Sequence, residues 1–380
     1  MTTMTRMTQI VYLDHNATSP VRAGVVDAVA DALTVSGNAS SVHQAGRQAR
    51  QLVDQARDHV ARLVGVSPAE IVFTSGGTEA NNLVLRGVDV DHILVSTVEH
   101  PSVLEAADNI EQIPVDKNGL VDLAILEARL SELDGRILVS VMQANNETGV
   151  IEPIAEIVQI AKKYDALVHT DAIQALGKIA VERDALGVDF ISLSSHKIGG
   201  PQGVGALVIN EEVPLRALNR GGGQERNRRG GTENVPGIVG FGAAAEQAAE
   251  ELSQAVEIEA LRDQLEAAIK SIAPGTVIHG ENVDRLPNTT CLSMPNVVSE
   301  TQVMKFDLAG FMISAGAACS SGKVQASHVL LAMGVEDEEA STAIRISLGH
   351  TNNASDVEAF VEQWREMYAR ANRDALKGAA

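Results

Sequence analysis

The chain has 380 residues, 45% apolar but only 3% aromatic, and its 50 acidic groups against 30 lysines and arginines give a net charge of −20. That length asks for a large domain and a smaller one, and so few aromatics ask for a core of Ala, Val, Leu and Ile, as where helices pack on a buried sheet. A surface this acidic repels phosphate backbones and anionic lipids, which argues against nucleic acid and membrane as partners.

Met1 to Gln9 holds one arginine and no apolar run, so it does not read as a secretion leader. Nowhere does an apolar run approach the ~20 residues of a membrane span, and the chain reads as cytoplasmic. Ala45 to Val64 predicts a helix with an apolar stripe. Ile71 to Phe73 is a short strand, and Thr78 to Arg86 a helix entered through Thr74-Ser75-Gly76-Gly77. His92 to Ser96 is a strand, and Pro101 suits the first turn of a helix. Ile137 to Met142 is a buried strand, Ile154 to Tyr164 a helix, and Ala166 to Thr170, Phe190 to Leu193 and Ala206 to Ile209 three more strands. This alternation predicts an α/β fold with a mostly parallel sheet covered by helices. After a polar glycine-rich stretch, Gly221 to Thr232, Gly240 to Lys270 reads as a long Ala/Glu-rich helical region, a natural bridge between domains. A strand at Thr289 to Ser293 and helices at Val324 to Ala332 and Ala354 to Arg370 make a second, α+β unit.

Several residues on this frame could carry chemistry. Lys197 follows a strand in Ser194-Ser195-His196-Lys197-Ile198-Gly199-Gly200-Pro201, which displays it at the sheet edge where open α/β sheets bind ligands. A partly desolvated lysine can form a Schiff base with an aldehyde, although most lysines after strands are solvated surface charges. Asp171 ends another strand 26 residues earlier. It suits the acidic partner that pyridoxal phosphate needs at its ring nitrogen, and equally an N-cap. Thr74 to Glu79 joins a strand to a helix through two glycines and hydroxyls, which makes a phosphate cup, a capping box led by Ser75 or Thr78, or both. His100, in Val98-Glu99-His100-Pro101, could stack on a planar ring. Cys319 sits among glycines and small residues in Gly316 to Gly322, an exposed and mobile setting that suggests use of its thiol. Cys291, the only other cysteine, lies in an apolar strand and reads as packing. Arg345, flanked by Ile344 and Ile346, points to a bound carboxylate or to an ion pair on a half-exposed strand.

In order and combination these stretches resemble the NifS/IscS-type cysteine desulfurases, fold-type I pyridoxal-phosphate enzymes. The matching residues are Tyr12 to Thr18, Phe73 to Asn82, Glu99-His100, Asn145 to Gly149, Asp171 to Gln174, Ser194 to Gly203, Gly221 to Thr232, Gly316 to Gly322 and Ile344 to Gly349, spread over nearly the whole chain. The resemblance implies a large domain over 16–250 with a seven-stranded sheet, and a small domain from 1–15 and 251–380 that carries the Cys319 loop. It implies that Lys197 holds the cofactor covalently and serves as base, and that Asp171 pairs with the ring nitrogen. Gln174 would meet the phenolic oxygen, and His100 would stack on the ring. Gly77, Thr78, Ser194 and His196 would hold the phosphate, with Thr232 reaching it from the other subunit of a homodimer. Asn146 would lie beside ring and substrate, and Arg345 and Asn16 would bind the cysteine carboxylate. Cys319 would take the sulfur as a persulfide and pass it to an acceptor protein such as an iron–sulfur scaffold. The competing expectations are a selenocysteine lyase, which would share nearly every residue, and an aminotransferase, which needs no exposed thiol.

Overall fold

The computed structural model describes residues 10–316 and 326–372; Cys319, and with it the expected sulfur-carrying loop, lies outside the described residues. Thirteen strands occur in the described chain: β1 (Val11–Tyr12), β2 (Ile71–Thr74), β3 (His92–Ser96), β4 (Ile110–Ile113), β5 (Ile137–Ser140), β6 (Leu167–Asp171), β7 (Phe190–Ser194), β8 (Gly205–Ile209), β9 (Val277–Ile278), β10 (Thr289–Ser293), β11 (Phe311–Met312), β12 (Ser314–Ala315) and β13 (Ala343–Ser347). A seven-stranded sheet runs in the order β2-β8-β7-β6-β5-β3-β4. All its neighbours are parallel except those of β8, which is antiparallel to both β7 and β2.

Side chains alternate across the faces of this sheet, and each face has its own core. Phe73, Val139, Ile191 and Val208 pack under the helices Ala23–Leu33, Gln44–Leu63 and Val235–Glu251. Val72, Leu138, Phe190 and Leu207 pack under Gly77–Gly87. Both faces being covered, the strands are apolar almost throughout, which is the pattern read from the sequence.

The second unit is built on a four-stranded sheet, β12-β13-β10-β9. Helices Ala255–Ile272, Ser299–Leu308 and Ala354–Ala371 supply its core, where the Phe306 and Phe360 rings stack 4.6 Å apart and Trp364 is buried. The helical region expected over Gly240–Lys270 consists of two helices, Val235–Glu251 and Ala255–Ile272, joined by a tight turn at Leu252–Gln254. No glycine or proline marks that break, and the backbone stays near helical dihedrals through it. Glu251, the last residue of the first helix, is held by Arg22 at 2.6 Å.

Several side chains anchor the glycine-rich stretch, among them Arg229 on Glu79 at 2.9 Å, and one of them is buried. Glu225, at φ 46°, is buried and accepts from Arg57 through both carboxylate oxygens, at 2.7 and 2.9 Å. Its Oε2 also accepts the Phe73 N–H at 2.9 Å, and the Arg57 guanidinium lies 4.7 Å from the centre of the Phe73 ring. Glu225→Ala strands a buried guanidinium, so it is expected to cost about 3–5 kcal/mol in urea unfolding, and the Arg57→Met/Glu225→Met double variant to recover most of that. Equal losses in the single and double variants would remove the pair as the cause.

Candidate active site

Three strand ends meet above the sheet. β6 ends on Asp171, β7 ends on Ser194, and β2 leads into the helix Gly77–Gly87. Because β6 and β7 are parallel neighbours, Asp171 and the lysine loop emerge side by side at the carboxyl edge. A cavity of about 200 Å³ opens there. It is lined by Gly77, Thr78, His100, Asn146, Asp171, Gln174, Ser194, His196 and Lys197. Residues far apart in the chain, each ambiguous alone, thus share one wall.

Lys197 closes the short turn Ser195–Lys197 after β7, and its Nζ donates to the main-chain oxygens of Asn16 and Ala17 at 2.5 and 2.8 Å. Burial lowers its pKa to about 8, with the Arg345 guanidinium adding to the effect and Asp171 and Asp14 opposing it. An amine so tuned is partly neutral near pH 7, as a nucleophile must be. In the cofactor-free protein, acylation of Lys197 followed by peptide mass spectrometry is therefore expected to rise through about pH 8. A rise only near the free-lysine value would show that the amine is not desolvated.

Asp171 faces the cavity from β6. Its Oδ2 accepts from Asn81 Nδ2 at 2.7 Å and its Oδ1 from the Ile173 N–H at 2.9 Å. The two sequence readings of Asp171 are therefore compatible, since one oxygen caps the turn while the carboxylate as a whole stays in the site. Burial raises its pKa, and the Asn81 and Ile173 bonds offset part of that rise. Such a carboxylate is poised for a cationic partner.

His100 caps the helix Pro101–Leu104 by accepting the Ser102 N–H on Nδ1 at 3.1 Å. That bond leaves Nε2 as the protonated nitrogen of the neutral ring. Desolvation lowers its pKa. His196 is held near Thr18 Oγ1 at 3.2 Å, and burial lowers its pKa to about 4, so it is neutral at pH 7.

At the opposite end, Gly77 starts the helix with its N–H groups toward the cavity, and Thr78 follows, exposed. A Cβ on Gly77 would lie 2.0 Å from Ile173 Cδ1, so a larger residue here would have to push the Ile173 side chain aside. The expected capping by Ser75 or Thr78 does not form. Gly76 is the N-cap, and Glu79 reaches back instead to accept the Ser75 N–H at 2.7 Å. The Thr78 hydroxyl accordingly serves no cap.

Arg345 lies on β13, a strand buried throughout rather than half-exposed. It pairs with Asp14 at 2.7 Å and donates to the Asn146 carbonyl at 2.9 Å, while its buried Nε–H has no partner. Asn16 is more fully committed. Its Nδ2 donates to Thr289 Oγ1 at 2.8 Å and to the Asn146 carbonyl at 3.3 Å, and its Oδ1 accepts from Lys178 and Asn288. Lys178, in Leu176-Gly177-Lys178-Ile179, was not singled out in the sequence. Thr232 is exposed and lines a different hollow with Ser75 and Glu225, away from the cavity of its own chain.

The cavity suits pyridoxal phosphate by the chemistry of its donors. A desolvated lysine can take the aldehyde, a buried carboxylate the ring nitrogen, and a helix start with free hydroxyls the phosphate.

The chain matches the aminotransferase class-V family over residues 11–360. It is 42% identical over 366 residues to a protein of Dictyoglomus turgidum named cysteine desulfurase IscS, a match that covers 92% of each chain. A solved NifS-like protein of Rickettsia africae superposes with a TM-score of 0.88 at 40% identity, over 95% of this chain and 99% of that one. SspA, solved in complex with cysteine, superposes with a TM-score of 0.77 at 30% identity, over 89% of this chain and 98% of its own.

Proposed function

The chain belongs to the aminotransferase class-V family and is a cysteine desulfurase, and from that premise we propose how its residues divide the reaction. The observation that carries the proposal is the meeting of Lys197, with its lowered pKa, and buried Asp171 in one cavity. Pyridoxal phosphate, bound there, would supply an electron sink for the carbanion that forms when the Cα proton leaves.

Lys197 would hold the cofactor covalently, and its amine, when free, would serve as the base for the Cα proton. Asp171 keeps the ring nitrogen protonated. His100 covers the ring face, its orientation fixed by the Ser102 N–H. Gly77, Thr78, Ser194 and His196 bind the phosphate, His196 as a neutral donor. Gln174 donates to the phenolic oxygen, and Asn146 lines the substrate side. Arg345, with an unpartnered N–H, receives the carboxylate of L-cysteine in exchange for Asp14. Asn16 contributes there only by releasing its 3.3 Å bond to the Asn146 carbonyl, so its main part is to hold the wall.

The exposed Thr232, which does not line the cavity of its own chain, completes the phosphate site of a second copy in a homodimer. Sulfur passes to Cys319 and then to an acceptor protein, such as a scaffold for iron–sulfur assembly. Among the described residues no helix is long and apolar enough to cross a membrane, and we place the protein in the cytoplasm. The test is whether purified protein is yellow and forms alanine and sulfide from L-cysteine with a thiol present. Colourless protein that pyridoxal phosphate does not activate would end this reading. Alanine from selenocysteine but not from cysteine would favour the lyase.

A further inference from the structure

Lys178 is an amine that the proposed reaction does not use, yet it sits under two residues that reaction needs. It follows Gly177, whose backbone turns at φ 71° and whose missing Cβ would lie 2.8 Å from Ile198 Cγ2. The turn brings Lys178 back toward the site, where Nζ donates to Gln174 Oε1 at 2.8 Å and to Asn16 Oδ1 at 2.9 Å. Burial, with Lys197 and Arg345 nearby, holds its ammonium well below the usual lysine range. Charged or neutral, the amine keeps N–H groups to donate.

A side-chain amide can be turned end for end with little change of shape, so its partners decide which end points where. Donation by Lys178 selects the oxygen end of Gln174. Gln174 Nε2 then faces away from Lys178, with one N–H on the Asn16 carbonyl at 2.9 Å and the other left toward the cavity. In the same way Asn16 Oδ1 is turned to Lys178 and Asn288, and Nδ2 to Thr289 and the Asn146 carbonyl. The Asn16 main-chain oxygen also accepts from Lys197, so a single amine braces the wall on which the reactive lysine rests.

We propose that Lys178 is a positioning residue for the desulfurase reaction: by donating to both amide oxygens it fixes which end of Gln174 meets the cofactor oxygen and which end of Asn16 supports Asn146. The first half of this rests on the place given above to Gln174. Without Lys178 the Gln174 amide can present its oxygen to the phenolic oxygen, an acceptor against an acceptor.

Two measurements separate these claims. In cofactor-free, full-length protein with 15N-labelled glutamine and asparagine side chains, Lys178→Met is expected to speed solvent exchange of the Gln174 and Asn16 amide protons by about tenfold. Lys178→Arg, which still donates, is expected to restore most of the protection. If the methionine variant does not fold, Lys178→Leu, which likewise has no group to donate, gives the same reading. Unchanged exchange in the non-donating variant overturns the proposal. In cofactor-loaded protein, the pH at which the bound-cofactor absorbance titrates is expected to rise by about one unit in Lys178→Met, the size of one hydrogen bond to a charged group. No further rise is expected when Gln174→Ala is added. If Gln174→Ala alone leaves that titration unmoved, the place of Gln174 is wrong, while the exchange data still decide the role of Lys178.

Discussion

Lys197→Ala is expected to reduce alanine formation by at least about 10⁴-fold, because in the proposed reaction one substitution removes both the covalent attachment of the cofactor and the base at Cα. The same change is expected to make the cofactor-free protein more stable. The fold lowers the Lys197 pKa from 10.5 to about 8, so below about pH 8 its charge opposes folding in full. That cost fades as the pH rises from about 8 toward 10.5, where the unfolded lysine also loses its proton. At pH 7 the gain in Lys197→Ala is then on the order of 1–3 kcal/mol, shrinking above pH 8. Urea unfolding of both cofactor-free proteins at pH 7 and pH 10 reads it. A variant less stable than the parent at pH 7 would mean that the Asn16 and Ala17 carbonyls more than repay the desolvation. Borohydride trapping of the cofactor on another lysine would move the site altogether.

The strands that position Lys197 were legible because both faces of their sheet are covered. His92–Ser96 and Thr289–Ser293 read from the sequence with the bounds they have in the fold, since an apolar run bounded by polar residues has few other places to go. Direction was not legible. Gly205–Ile209 is as apolar as its neighbours, and nothing in the run says that it alone lies antiparallel. The two-residue strands β1, β9, β11 and β12 are too short to show a period, and the helix Leu123–Glu132 was passed over although Asp122 announces it by accepting the Ala124 and Ile125 N–H groups.

At the site, residues beside glycines at strand ends declared themselves, because that geometry displays a side chain. The supporting amides did not. Asn16 was given to the substrate carboxylate by resemblance alone, and only the fold shows both its N–H groups engaged. Lys178 is the same kind of omission. Its work depends on a turn at Gly177 that brings it beneath a residue one turn earlier, and local sequence does not reveal which lysines are turned inward.

Cys319→Ser is expected to bind cofactor and L-cysteine as the parent does, yet to make no alanine. The chain has two cysteines, and the fold disqualifies one of them. Cys291 lies at the middle of β10, fully buried and paired across the sheet with Arg345 on β13. Burial pushes its thiol far above the ordinary cysteine range, and Glu147 adds to the rise. The thiolate is the nucleophile, so a thiol held that high has almost none to offer near pH 7. Nor could a persulfide there reach a protein acceptor without opening the sheet. That leaves Cys319, whose thiolate in the proposed reaction would attack the substrate Sγ: a new S–S bond would form as the Cβ–Sγ bond breaks, and Cβ would take a proton to become the methyl group of alanine. A serine at 319 cannot form that bond, and the loss belongs in the rate of alanine formation rather than in binding, which the cofactor absorbance on adding cysteine reports separately. Cys291→Ser is expected to keep turnover within about twofold while lowering the melting temperature, because it buries a hydroxyl in an apolar strand. Mass spectrometry of the parent after L-cysteine without reductant should find one additional sulfur, on the peptide that holds Cys319. That sulfur on the Cys291 peptide, or full alanine production by Cys319→Ser, would contradict the assignment.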